Sequence, residues 1–74
     1  MDAVLLRAEC ERRGTWISPD GRVRERDAAI LMGCSAKRLK NRRAELDDRL
    51  PSFVKRNGRV LYSLVSIAAW MAKS

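Results

Sequence analysis

Histidine is absent from this 74-residue sequence, and cysteine occurs only twice, at Cys10 and Cys34. Two thiols without an imidazole cannot supply the four ligands of a structural zinc site unless carboxylates or a second chain contribute. No metal or other cofactor is therefore expected, and the thiols are expected to be reduced and inert, Cys34 at a place that suits a small buried residue. The same scarcity argues against catalysis, because neither cysteine has a base partner nearby in sequence and the carboxylates lie in charged, polar stretches. No apolar run approaches the roughly 20 residues that span a bilayer. No basic segment followed by an apolar core opens the sequence. A cytoplasmic protein without a membrane partner is expected. A chain this short is one domain and buries only about 60% of the surface its unfolded form exposes. That leaves a thin core and little room for a deep cavity, so a non-enzymatic protein without a small-molecule substrate is expected.

What the sequence does have is basic charge, and that charge is unevenly placed. Sixteen Lys and Arg face nine Asp and Glu, a net of +7. Residues 1–34 carry six of each sign. Residues 35–59 carry nine basic side chains (Lys37, Arg38, Lys40, Arg42, Arg43, Arg49, Lys55, Arg56, Arg59) against Glu45, Asp47 and Asp48, a net of +6. Excess charge confined to a third of the chain makes a one-sided field that attracts a polyanion. Charge serving solubility alone would be scattered.

Local patterns divide the chain into a first helix or arm over 1–14, two helices within 24–46, a hairpin over 52–62 and a last helix over 63–73. Asp2 can cap the first helix and Gly14 can end it, with Val4, Leu5 and Ala8 as its apolar stripe. Ser18-Pro19-Asp20-Gly21 suits a tight turn between short extended pieces, with Trp16 and Ile17 in the core or a sheet. Glu25 to Met32 reads as the second helix, with Ala28, Leu31 and Met32 on one face. Arg24 is a poor cap, which Glu25 and Asp27 offset through the helix dipole. The third helix runs from Ala36 to Ala44 or Leu46 and has few apolar residues. After Pro51, the Asn57-Gly58 pair between apolar and β-branched residues marks a two-residue hairpin turn. Ser63 caps the last helix, where Leu64, Ile67, Ala68 and Met71 form the core face and Trp70 widens it.

The stretch Asp27 to Ser35 carries the main functional signal. Small alanines allow a close helix crossing, Gly33 permits positive φ at the turn, and Ser35 caps the helix that follows. This is helix-turn-helix grammar, and the helix after Ser35 is the basic one. Such a helix enters the major groove N-terminus first. Lys37, Arg38, Asn41 and Lys40 are the candidates for base edges, since Arg pairs bidentately with guanine and Asn with adenine. Arg42 and Arg43 are the candidates for flanking phosphates. Lys55, Arg56, Asn57 and Arg59 surround the hairpin tip, as in a wing that follows the backbone or enters the minor groove. Solvated faces on the helix and hairpin are the plain alternatives. The expectation is a mainly α domain with a small β-hairpin, a winged helix-turn-helix.

Residues Val23 to Met71 resemble the MerR-like winged helix-turn-helix family, particularly phage and plasmid excisionases. Ala28-Ala29 through Gly33-Cys34-Ser35 resembles the family's first motif; Leu50-Pro51, Asn57-Gly58-Arg59 with Tyr62, and Ile67 with Trp70 resemble its second half. The resemblance implies a sequence-specific double-stranded DNA-binding protein of phage or mobile-element type. It would act in excision beside a recombinase, or as a transcriptional regulator, with neighbouring copies on DNA as further partners. The link before Pro51 is longer than usual. Arg42 stands where the family often has an apolar residue, and Leu46 is expected to make that contact instead. Phage small terminase subunits, which act in packaging, resemble the second half almost as well. A protein–protein adaptor without DNA binding is the third class, with Trp16 and the first helix as its features.

Overall fold

Capping side chains set the element boundaries in the computed structural model, which describes residues 2–45 and 47–73. Asp2 accepts a hydrogen bond from the Leu5 amide at 2.9 Å and caps α1 (Ala3–Arg13), which Gly14 ends. The buried face of this helix differs from the expected stripe. Leu6 and Cys10 are buried with Ala3 beside them, while Val4 is 77% exposed, Leu5 56%, and Ala8 is exposed as well. Residues 3–6 and 8 are all apolar, so two stripes of helical spacing compete, and docking on the C-terminal helix α4 (Leu64–Lys73) selects the Leu6 face.

The turn at Ser18–Gly21 forms as expected, with the Gly21 amide donating to the Ser18 carbonyl at 3.0 Å. The extended piece after it is a true strand, β1 (Arg22–Arg24). It joins the antiparallel hairpin of β2 (Phe53–Arg56) and β3 (Arg59–Ser63) in the order β1-β3-β2. The sheet thus has one strand more than the expected hairpin. Asn57 at φ 51° and Gly58 at φ 76° supply the two positive values a tight hairpin turn needs. Trp16 and Ile17 lie in no strand. Ile17 packs against the core, but Trp16 remains 44% exposed, with the Arg24 guanidinium 4.9 Å from its ring centroid.

Between the strands lie α2 (Glu25–Met32) and α3 (Ala36–Ala44), joined through Gly33 at φ 75°. Arg24 makes no capping hydrogen bond, whereas the Ser35 side chain accepts from the Arg38 amide at 3.1 Å. On α2, Ala28 and Ala29 are buried and Leu31 and Met32 pack against the core. On α3, Leu39 alone is buried, and Ala36 and Ala44 face solvent. The expected core contact of Leu46 lies outside the described residues. Ser63 accepts from the Ser66 amide at 3.3 Å, and α4 buries Leu64, Ile67 and Ala68 with Met71 against the same core. Trp70 is half-buried at its edge.

Among the described residues the architecture is a small domain of four helices and a three-stranded antiparallel sheet. Its centre is Leu6, Val23, Leu39, Tyr62 and Ile67, each at 1% exposure or less. Burying side chains of this size contributes about 1.5–3 kcal/mol each. Both cysteines are free thiols; Cys10 is buried, which pushes its pKa up, while Cys34 is half-buried rather than enclosed. No helix among the described residues is long and apolar enough to cross a membrane.

Candidate functional site

The helical period sorts the basic residues of α3. Leu39 points into the core, so the opposite side is centred on Lys37 and Asn41 and flanked by Arg38 and Lys40. All four are exposed. Among the described residues, no side-chain hydrogen bond or ion pair engages Lys37, Arg38 or Lys40. Ser35 stands at the head of this surface, its hydroxyl already committed to the cap.

Arg42 and Arg43 flank the buried side of the helix and are half-buried. Arg43 donates from Nε to Glu25 Oε2 at 2.8 Å and from Nη2 to Oε1 at 3.3 Å. Its guanidinium carbon lies 5.9 Å from the centroid of the Phe53 ring. The Tyr62 hydroxyl donates to the same Glu25 Oε2 at 2.9 Å, and the Phe53 and Tyr62 rings are 5.5 Å apart. This cluster ties α2, α3 and the sheet together. Arg43, expected at a phosphate, is occupied as a structural tie. The signal was present in the sequence, since Arg43 falls one turn after Leu39, at the edge of the buried stripe. Arg42 instead borders a groove of about 750 Å³ beside Arg49, Pro51, Ala69 and Trp70.

Burial pushes the Tyr62 phenol well above the ordinary tyrosine range, and its bond to the Glu25 carboxylate pushes the same way. A raised folded value means that this contribution is fully present below the unfolded pKa of about 10 and is lost as pH climbs towards the folded one. Melts between pH 8 and 12 are expected to show an alkaline loss of about 1.4 kcal/mol per pH unit above pH 10 from this group. Tyr62→Phe should remove that component. An identical alkaline profile in both proteins would show that the phenol titrates freely.

Strand alternation divides the hairpin cations. Phe53, Tyr62 and Val23 are register partners and share the face turned towards α2 and α3. Lys55 and Val60, two residues on, lie on that face too. Arg56 and Arg59 are register partners of each other on the opposite face, which also carries Arg22 and Arg24. There Arg56 Nη2 donates to Asp20 Oδ2 at 2.7 Å. Asn57 forms the tip between them. The eleven candidate residues therefore do not converge on one surface. Ser35, Lys37, Arg38, Lys40 and Asn41 are gathered on α3. Lys55, Asn57 and Arg59 are exposed around the hairpin, while Arg43 and Arg56 are held by acids. Sequence reasoning missed both acids, Glu25 and Asp20, because their partners are 18 and 36 residues away.

Among the described residues, no group of three His, Cys, Asp or Glu side chains is placed to hold a metal ion. In comparisons with known proteins, no family model, no curated protein and no solved structure matches the chain.

Proposed function

We propose that this chain is a non-enzymatic, sequence-specific double-stranded DNA-binding domain of the winged helix-turn-helix kind, with α3 as the recognition helix and the β2–β3 hairpin as the wing. The observation that carries the reading is the first turn of α3. It has no acidic residue, and it presents Lys37 and Arg38 at the positive end of the helix dipole. Cations there cost a helix about 0.3–1 kcal/mol each. A phosphate chain against that turn reverses the sign of the interaction. An exposed face that served only solubility would gain from acids at these positions.

The docking of α3 supports the same reading. One buried leucine and one arginine tie hold the helix, which leaves Lys37, Arg38, Lys40 and Asn41 on a convex surface able to enter a major groove. The strand order β1-β3-β2, with the hairpin following the two helices, fits a wing. The likeness of the motifs to excisionases makes excision or transcriptional regulation the role, with a recombinase or neighbouring copies as partners.

Selection of bound sites from random duplexes, followed by anisotropy titrations at several salt concentrations, tests the proposal. About five phosphate contacts give log K against log salt a slope of about −4 to −5. A flat response would remove DNA and leave a protein adaptor. Arg38→Ala is expected to cost about 1–3 kcal/mol on the selected site, a roughly 5- to 150-fold loss, and to relax the preference at one base pair. Equal losses on selected and random duplex would make Arg38 a phosphate contact.

A further inference from the structure

Among the hairpin cations, Arg56 is set apart by the acid that holds it. Its Nη2 donates to Asp20 Oδ2 at 2.7 Å, joining the wing to the turn that precedes β1. Asp20 is itself fixed in place. Its Oδ1 accepts from the Ser18 hydroxyl, and its Oδ2 accepts from Arg22 Nε at 3.2 Å. Ser18 is 2% exposed, and its Oγ accepts from the Arg22 amide at 2.9 Å. The carboxylate is thus tied to a turn anchored on the buried Ser18 and cannot follow Arg56 if that side chain swings away. Arg56, about half exposed, can swing.

A guanidinium recognises a carboxylate and a phosphate by the same forked geometry, so the two anions are direct competitors for it. An exposed pair of this kind is weak enough to exchange. The geometry points to Asp20 as a specificity-determining residue, which withholds Arg56 from loosely bound duplex on the sheet face turned away from α3 and yields it only to a phosphate brought close when α3 is seated on its site. This role rests on the DNA-binding reading. Its physical effect is on non-specific affinity. That affinity is set by the number of cations free to displace counterions, and Asp20 takes the half-exposed Arg56 out of the count, while Arg22, which it also holds, is largely buried. The lowered pKa of Asp20, caused first by Arg56 and then by Ser18, fits a carboxylate that stays ionised and keeps its hold throughout the neutral range.

The test is a cycle of salt titrations on random and selected duplex with the full chain, D20N, R56A and the double variant D20N/R56A. Asparagine keeps an oxygen acceptor for the Ser18 hydroxyl, and a thermal melt checks that each variant folds. D20N is expected to steepen the slope on random duplex by about 0.9, to bind random duplex several-fold more tightly, and to lose selectivity by the same factor. In the R56A background the same substitution should leave the slope unchanged. Equal steepening in both backgrounds would reduce Asp20 to one unit of net charge and overturn the proposal, as would no steepening at all. If the wild-type chain shows no salt-dependent binding, the DNA reading itself falls, and this role with it. A second measurement needs no substitution at residue 20. The Arg56 Nε–H resonance of the wild-type chain should be unmoved by random duplex and shifted by the selected site, and a shift with both would overturn the proposal.

Discussion

Leu39→Ala is expected to be the most destabilising single truncation on α3 and to unfold a large fraction of the molecules. Leu39 is fully buried and is the one buried side chain of its helix, whereas α4 buries three. Truncating a buried leucine costs about 2–5 kcal/mol through lost transfer energy and the cavity left behind. A domain of this size has a total stability of roughly 4–11 kcal/mol. The melting midpoint should therefore fall by at least ~10 °C, since 1 kcal/mol moves a domain this small by about 4–8 °C. Circular dichroism at 222 nm against temperature reads the change directly. A midpoint within a few degrees of the wild type would mean that the Arg43–Glu25–Tyr62 tie, not Leu39, anchors α3. The mean packing of α3 is thin because its surface is given to charge, and that thinness makes the leucine so costly to lose.

The parts of the fold that local chemistry determines were legible in the sequence. Ser35, Gly33 and the Asn57-Gly58 pair act on their nearest neighbours, through capping and positive φ, and the elements they bound lie where that chemistry puts them. α4 was legible for a different reason: its apolar residues have a single phase, and Leu64, Ile67 and Ala68 are buried accordingly. α1 has no single phase. With residues 3–6 all apolar, the choice between Val4 and Leu6 is made by where α4 stands, which no window of sequence contains. β1 has one apolar residue, Val23, between two arginines, and it is a strand only because β3 offers its edge. The candidate site divides in the same way. The outward position of Lys37, Arg38 and Asn41 follows from their spacing around Leu39. The diversion of Arg43 to Glu25 and of Arg56 to Asp20 depends on which acids the fold brings near. Basic charge in sequence is thus an upper bound on the cations available to a polyanion, and tertiary ion pairs set the remainder.

Reversing Lys37 and Arg38 together to glutamate is expected to abolish DNA binding while leaving the fold intact or slightly more stable. The two effects have opposite signs for one physical reason. At the first turn of α3, cations oppose the helix dipole and acids complement it, by about 0.3–1 kcal/mol per charge. Arg38 is also the third residue after the Ser35 cap, so a glutamate there can accept a hydrogen bond from the Ser35 amide and complete a reciprocal cap. Both positions are exposed, so the core is untouched. Against a duplex the same two glutamates replace two interface cations with anions and add like-charge repulsion to the roughly 5- to 150-fold loss expected for Arg38 alone. The combined loss should exceed a hundredfold at moderate salt. Thermal melts and anisotropy titrations on one preparation decide the matter. A rise in melting midpoint with binding lost means that the sequence keeps these cations against the preference of its own helix, for a ligand. Binding retained at wild-type strength would place the interface elsewhere on the molecule. A lowered midpoint would show that Lys37 and Arg38 serve the fold, and the argument from the dipole would fail.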